Sequence, residues 1–284
     1  MTSSGKTRVA GVIGWPVGHS KSPRLHGYWL RLYGIDGAYG PLPTPPERIA
    51  EAVQGLAALG FAGANVTVPH KEAALRLVDE VSPTARRIGA VNTIVVDAAG
   101  RTRGDNTDAF GFIENLKHAT LPRGAAISLT RGPAVVLGAG GAARAVCVGL
   151  LEAGCPAVTL INRTRDRADA IKAAIDGPIA TVAWSDRSAA LANAALLVNT
   201  TSLGMTGQPP LDISLTALPG DALVNDLVYA PLETPLLAAA RQRGHGTVDG
   251  LGMLLFQAQA GFAAWFGVTP EVTPELRAFV LAAS

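Results

Sequence analysis

Lys71 closes the stretch NVTVPHK, Asn65 to Lys71. Strand-like alternation there runs into Pro69, and HKEAALRLVDE has the apolar spacing of a helix that begins after it. Lys71 then falls in the first helical turn, where the dipole is positive and an ammonium is disfavoured. Such a lysine is either a solvated first-turn residue or one held there by a partner. A second chemical group is the glycine turn in VVLGAGGAA, where Gly138, Gly140 and Ala143 occupy G-x-G-x-x-A positions between a strand and a helix. A bound dinucleotide needs that tight turn, close backbone approach to its pyrophosphate, and a helix N-terminus aimed at it.

The next strand, AVTLINRTRDR, ends at Asn162 and runs on through Arg163, Thr164, Arg165, Asp166 and Arg167. An NAD site usually offers a carboxylate about 20 residues after the glycines, to hold the ribose 2′-hydroxyl. The strand end here offers guanidiniums and a hydroxyl instead, which pair with a 2′-phosphate in charge-assisted bonds. That points to NADP, against the plainer reading of a solvated turn before an arginine-rich helix face.

The elements that must position these groups alternate. RVAGVIG reads as a first strand, Ser22-Pro23 as N-cap and N1 of the helix PRLHGYWLRLYG, and PPERIAEAVQGLAALG as a second helix. GANVTVP and VNTIVVD are strands, the latter turning at Gly100, and a helix runs from Asp108 to about His118. LPRGAAISLTRG, with Pro122, Gly124 and Gly132, reads as a linker. A fresh unit then runs through PAVVLGAGGAARAVCVGLLEAG, AVTLINRT, DRADAIKAAI, TVAW, AALLVNTTSLGM and DALVNDLVY, and the last 35 or so residues are apolar and helical. Alternating strands and helices predict an α/β fold with its boundary near residue 108.

Composition agrees. The 284 residues suggest about two domains, and 48% hydrophobic against 16% charged residues predicts a large interior. No apolar run reaches the roughly 18 residues of a membrane span, and the N-terminus lacks a signal-peptide layout. A net charge of +2 gives no basis for nucleic-acid binding. Cys147 and Cys155 have apolar neighbours and read as reduced packing residues, and the five histidines lack ligand spacing, so no metal is expected.

Taken in order, GHSKSP, NVTVPHK, AVNT, GDNTD, GAGGAA with NRT, NTTSLGM, DLVYAPLETPLL and DGLGMLLFQAQ resemble the shikimate dehydrogenase family over nearly the whole chain. The resemblance implies a substrate-binding and catalytic α/β domain, residues 1–108 with 250–284, the C-terminal helices returning to it. It implies a Rossmann-type NADP domain over 109–249. It also implies reversible NADP-linked interconversion of 3-dehydroshikimate and shikimate, toward chorismate and aromatic amino acids, in a cytoplasmic monomer or homodimer without nucleic-acid or membrane partners. Carried over by position, Lys71 is the catalytic acid/base and Asp108 its partner. Ser20, Ser22, Thr67, Asn92, Tyr229 and Gln257 hold the substrate. Gly138, Ala139, Gly140, Gly141 and Ala142, the run Asn162 to Arg167, Leu227 and Gly250 line the cofactor. Two positions depart from the family pattern: His70, where phenylalanine is more familiar, and Leu227, where some relatives carry methionine. His70 adjoins the lysine.

Reduction of a ketone needs hydride on carbon, which the nicotinamide supplies, and a proton on oxygen. A charged Lys71 suits proton donation, an effect typically worth about 10²–10⁴-fold. Asp108 would favour the charged amine while dipole and burial oppose it. Both residues serve equally well, on sequence alone, as holders of substrate hydroxyls. Ser20 and Ser22 either cap a helix or, if extended, reach one carboxylate together. Asp108 doubles as a helix N-cap, Tyr229 as strand-end packing, and Gln257, in an apolar helix, needs a buried partner or a ligand. The rival readings are a quinate/shikimate dehydrogenase paralogue, a non-catalytic NADP-binding regulator that would have lost Lys71 or Asp108, and a methylene-tetrahydrofolate dehydrogenase-like enzyme, which the two-serine loop disfavours.

Overall fold

The computed structural model describes residues 4–119 and 127–282. Pro122 and Gly124 of the expected linker lie outside the described residues. Backbone contacts divide the chain into two compact units, Met1–Thr107 with Leu254–Ser284, and Asp108–Met253.

In the first unit, β1 (Arg8–Gly14), β2 (Gly37–Pro43), β3 (Gly63–Val66), β4 (Glu80–Val81), β5 (Thr93–Val96) and β6 (Thr102–Asp105) form a sheet of order β2-β1-β3-β5-β6-β4. β1 runs parallel to β2 and β3, whereas β5 is antiparallel to β3 and β6. The residues of β3 are buried throughout, as suits a central strand covered on both faces. Around the sheet lie α1 (Ser22–Leu32), α2 (Ile49–Ala58), α3 (Lys71–Ala74) and α4 (Pro83–Ile88). Ile13, Val53, Leu56, Val66, Ile88 and Ile94 are buried at the centre of this unit.

Three strands of this unit went unread in the sequence. β2 is GAYGPLP, whose Pro41 and Pro43 argue against a central strand; it sits at the sheet edge, where proline is tolerated. β4 has two residues, and β6, TRGD, is too short and polar to announce itself. The helix expected from HKEAALRLVDE is also corrected, since α3 stops at Ala74 after one turn. Tertiary bonds draw the following chain away: Asp79 N donates to Thr102 Oγ1 (3.0 Å), Thr102 N donates to Asp79 Oδ2 (2.7 Å), and Glu80–Val81 pairs with β6.

The second unit contains β7 (Ala134–Leu137), β8 (Val158–Ile161), β9 (Ile179–Val182), β10 (Leu196–Asn199), β11 (Leu223–Asp226) and β12 (Gly246–Val248). Their order is β12-β11-β10-β7-β8-β9 and every pairing is parallel. Counted from β7, this is the 3-2-1-4-5-6 order of a Rossmann sheet. α5 (Asp108–Lys117), α6 (Gly141–Glu152), α7 (Arg165–Ala174) and α8 (Pro235–Gln242) cover it. α5 and α6 pack closely enough that a Cβ at Gly149 would stand 3.3 Å from the Ala109 carbonyl oxygen. α8, unread in the sequence, starts conventionally, with Thr234 as N-cap accepting from Leu237 N and proline at N1.

α9 (Leu251–Phe266) and α10 (Pro274–Leu281) end the chain. From Leu254 on, the chain groups with the first unit. Trp265 Nε1 donates to the Ile94 carbonyl (2.9 Å), and Trp29 Nε1 to that of Glu271 (3.0 Å). Buried indole rings with satisfied N–H groups bring large apolar area to an interior. Among the described residues no helix is long and apolar enough to cross a membrane.

Candidate functional site

The first unit gathers a set of buried polar groups at one end of β3 and β5. Asn92, buried, donates from Nδ2 to Thr107 Oγ1 (3.0 Å) and to Gln257 Oε1 (3.3 Å). Its Oδ1 accepts from Thr107 N (2.9 Å) and Thr93 Oγ1 (2.9 Å). Gln257, on α9, also accepts from Thr107 Oγ1 (3.3 Å) and donates from Nε2 to the Leu254 carbonyl (3.1 Å). The partner its sequence position demanded is thus Asn92 and Thr107. Asn65 extends the set, donating to the Asn92 carbonyl (3.2 Å) and Thr93 Oγ1 (3.3 Å) and accepting from Tyr39 Oη (2.7 Å). Asn65, Thr93, Thr107 and Tyr39 were not singled out in the sequence. The signal for Asn65 was available, since it is an amide in an otherwise apolar strand that must find a partner.

Lys71 is tied to this set through the backbone, Val91 N donating to its carbonyl (2.9 Å) beside Asn92. It is half-buried and heads α3. A four-residue helix has little macrodipole, so the field that made a lysine there look costly is mostly absent. His70, buried, engages the Thr44 carbonyl through Nε2 (2.7 Å).

Ser20 and Thr67 lie on adjoining loops, and Ser22 opens α1. Trp15 N donates to the Val68 carbonyl (3.1 Å), and a Cβ on Gly14 would stand 2.5 Å from Thr67 Cγ2, so the chain leaves β1 directly against Thr67. Ser22 is not the N-cap of α1: Lys21 holds that position, and Ser22 is the first helical residue. Ser20 Oγ accepts from Ser22 N (3.3 Å), so the upstream serine serves the orphan N–H and the pair is not extended.

Asp108 and Tyr229 belong to the second unit. Asp108 is buried and is the first residue of α5. Burial pushes the Tyr229 phenol up, so it stays protonated as a donor.

In that unit the glycine turn leaves β7 for α6. Gly138 has φ +112°, and a Cβ there would stand 2.5 Å from Thr200 Oγ1, so only glycine fits. A Cβ on Gly140, by contrast, would meet nothing within 4 Å, and Gly140 caps α6 without any side chain. Gly141 and Ala142 open α6, and Ala139 precedes Gly140. Open space before uncapped N–H groups of a twelve-residue helix fits a pyrophosphate. At the end of β8, Asn162 Nδ2 donates to the Thr164 carbonyl (2.8 Å), and Thr164 precedes α7 without capping it. Arg163, Thr164, Arg165, Asp166 and Arg167 are exposed; Arg165 pairs with Asp169 (3.6 Å). This donor set fits a dinucleotide carrying a 2′-phosphate. Gly250 lies against Leu227, whose carbonyl oxygen would be 2.0 Å from a Cβ there.

Beside Leu227 stands Asp226, which is fully buried. Burial pushes its carboxyl up to about 6, against hydrogen bonds from Thr234, Val228 N and Asn199 that oppose the rise. Cys147 and Cys155 are buried and unbridged, and burial pushes the Cys147 thiol up to about 12. Among the described residues no group of three or more His, Cys, Asp or Glu could hold a metal.

A six-stranded parallel Rossmann sheet with a glycine turn, joined to a mixed α/β unit holding a buried amide and hydroxyl set, defines a two-unit α/β chain of the dinucleotide-dependent class. Residues 12–94 match the family model described as shikimate dehydrogenase substrate binding domain, and residues 123–205 match shikimate / quinate 5-dehydrogenase. A shikimate dehydrogenase (NADP(+)) of Rhodospirillum rubrum is 62% identical over 282 residues, covering 98% of both chains. Among solved structures, shikimate 5-dehydrogenase of Thermus thermophilus, in complex with NADP(H) and shikimate, is 38% identical with TM-score 0.85, covering 98% of this chain and 100% of that one. Quinate dehydrogenase of Corynebacterium glutamicum, in complex with NAD, is 31% identical with TM-score 0.87, covering 97% and 99%. The chain belongs to the shikimate dehydrogenase family.

Proposed function

We propose that this chain is an NADP-dependent shikimate dehydrogenase, catalysing the reversible reduction of 3-dehydroshikimate to shikimate. The observation that supports the reading is the Val91 N–H on the Lys71 carbonyl, which brings the lysine's backbone next to the residue preceding Asn92, in a chain 62% identical to a shikimate dehydrogenase (NADP(+)). The first unit, with the C-terminal helices, is the substrate-binding and catalytic domain, and the second binds NADP.

NADPH supplies the hydride when bound. Lys71 gives the substrate oxygen its proton in reduction and takes it back in oxidation, with Asp108 as its partner. Asn92, Gln257 and Thr67 hold ring hydroxyls, while Ser20, Ser22 and Tyr229 hold the carboxylate end. Gly138, Ala139, Gly140, Gly141 and Ala142 admit the pyrophosphate. Arg163, Thr164, Arg165 and Arg167 receive the 2′-phosphate, and Asn162, Asp166, Leu227 and Gly250 line the cofactor. The protein works in the cytoplasm as a monomer or homodimer.

The test is absorbance at the nicotinamide band with shikimate and quinate, each against NADP and NAD. Shikimate with NADP is expected to turn over fastest. Quinate with NAD turning over fastest would replace this reading with that of the quinate dehydrogenase relative. No turnover with any combination would favour a non-catalytic NADP-binding protein.

A further inference from the structure

Asp226 is a buried carboxylate that the proposed chemistry does not use. It ends β11 at the carboxyl edge of the Rossmann sheet, the edge where such sheets bind ligands. Its Oδ1 accepts from Asn199 Nδ2 (2.9 Å), at the end of β10, and from Val228 N (3.0 Å). Its Oδ2 accepts from Thr234 Oγ1 (2.7 Å), the N-cap of α8. Each partner begins a different segment. Asn199 Oδ1 accepts from Thr201 N (3.0 Å) and Thr201 Oγ1 (2.7 Å), and its Nδ2 also donates to the Leu203 carbonyl (3.1 Å). That loop is the one against which Gly138 packs, through Thr200. Val228 lies between Leu227 and Tyr229, and Thr206 N donates to the Ala230 carbonyl (2.8 Å), closing one loop onto the other.

We propose that Asp226 is a positioning residue: one carboxylate holds the Thr200–Leu203 loop beside the glycine turn, the Leu227–Tyr229 loop and the start of α8 in the single arrangement on which NADP binding depends. A carboxylate suits this task because its two oxygens accept several bonds without donating any. Taking a charge out of water costs free energy, and an interior tolerates it only when such bonds are made. The network acts on the cofactor through Leu227, Gly250 and Gly138, and so rests on the functional reading above.

The test is NADPH fluorescence titration of the full chain without substrate, with thermal melting and KM for shikimate measured alongside. Because binding is read without turnover, a failure of the shikimate assignment would leave the comparison standing. Asp226→Ala is expected to weaken NADPH binding about tenfold or more. Asp226→Asn, which keeps an acceptor in the place of Oδ1, is expected to restore most of the affinity. Folded Asp226→Ala binding NADPH as the wild type does would overturn the proposal, as would an Asn variant no better than Ala. Should Asp226→Ala not fold, Thr234→Val removes the Oδ2 partner at nearly constant shape. Weakened NADPH binding then supports the proposal, and unchanged affinity overturns it.

Discussion

Asn92 Nδ2 donates to Gln257 Oε1 at 3.3 Å across 165 residues of sequence, so the end of the chain completes a polar set begun before its middle. Asn92 also serves Thr107 and Thr93. Asn92→Ala strands several buried donors and should cost on the order of 3 kcal/mol of stability, against about 1 kcal/mol for Gln257→Ala. The double variant should lose less than the sum, because the two share partners. Urea unfolding of the four proteins reads this directly, and strict additivity would contradict the coupling.

Lys71→Ala should lower kcat for shikimate oxidation by about 10²–10⁴-fold, the usual worth of general acid–base help. The circular dichroism spectrum should not change, since Lys71 is tied to Val91, ahead of β5, by its backbone carbonyl. A raised KM with kcat near normal would instead make it a binding residue.

Two glycines of the same turn should separate stability from cofactor binding. Gly138→Ala forces a side chain onto φ +112° and against Thr200, costing about 1–3 kcal/mol from the backbone alone. Gly140→Ala meets open space and should leave the melting temperature unchanged. It should nevertheless weaken NADP binding, because that space is where a pyrophosphate approaches the backbone. Melting curves with and without NADP distinguish the two.

Arg163 is exposed beside Asn162 at the end of β8. Arg163→Asp places a carboxylate where the 2′-phosphate is proposed to sit. It should lower the preference for NADP over NAD by about 10–100-fold, the worth of one charge-assisted bond lost. The ratio of kcat/KM values for the two cofactors measures it, and an unchanged ratio would remove this residue from the phosphate site.

Asp226 ties stability to pH. Its carboxyl is raised from 3.8 to about 6 in the fold. The folded state therefore binds this proton more tightly than the unfolded chain does. The contribution to stability is fully present below about pH 4 and is lost as pH rises through about 6, by on the order of 3 kcal/mol. Comparing unfolding free energies of the wild type and Asp226→Asn between pH 4 and 7.5 isolates the effect, because the amide has no proton to lose there. A difference between the two proteins that does not change with pH would show that this carboxyl is not displaced.

Where a local pattern sufficed, sequence reading was reliable. RVAGVIG, AVVL and VTLI are strands because continuous β-branched and aliphatic runs suit a doubly covered sheet. The glycine turn was legible because its constraint is local: Gly138 adopts a φ that other residues avoid. The helix after Pro69 was misread because HKEAALRLVDE has helical spacing, while its outcome was decided by Thr102, more than twenty residues away, bonding Asp79. β2 was missed because two prolines hide a strand that exists only as an edge beside β1.

The sequence by itself determined the alternation of strands and helices, the glycine turn, the arginines where an acidic residue would select NAD, and the residue types available for chemistry. These follow from side-chain periodicity, backbone freedom and charge, each a property of neighbouring residues. Only the tertiary structure decided that Gln257 meets Asn92 and Thr107, that Ser20 rather than Ser22 serves the start of α1, and that Asp226 binds three segments together. Hydrogen bonds between distant segments depend on how the elements stack, and no window of neighbouring residues encodes that distance.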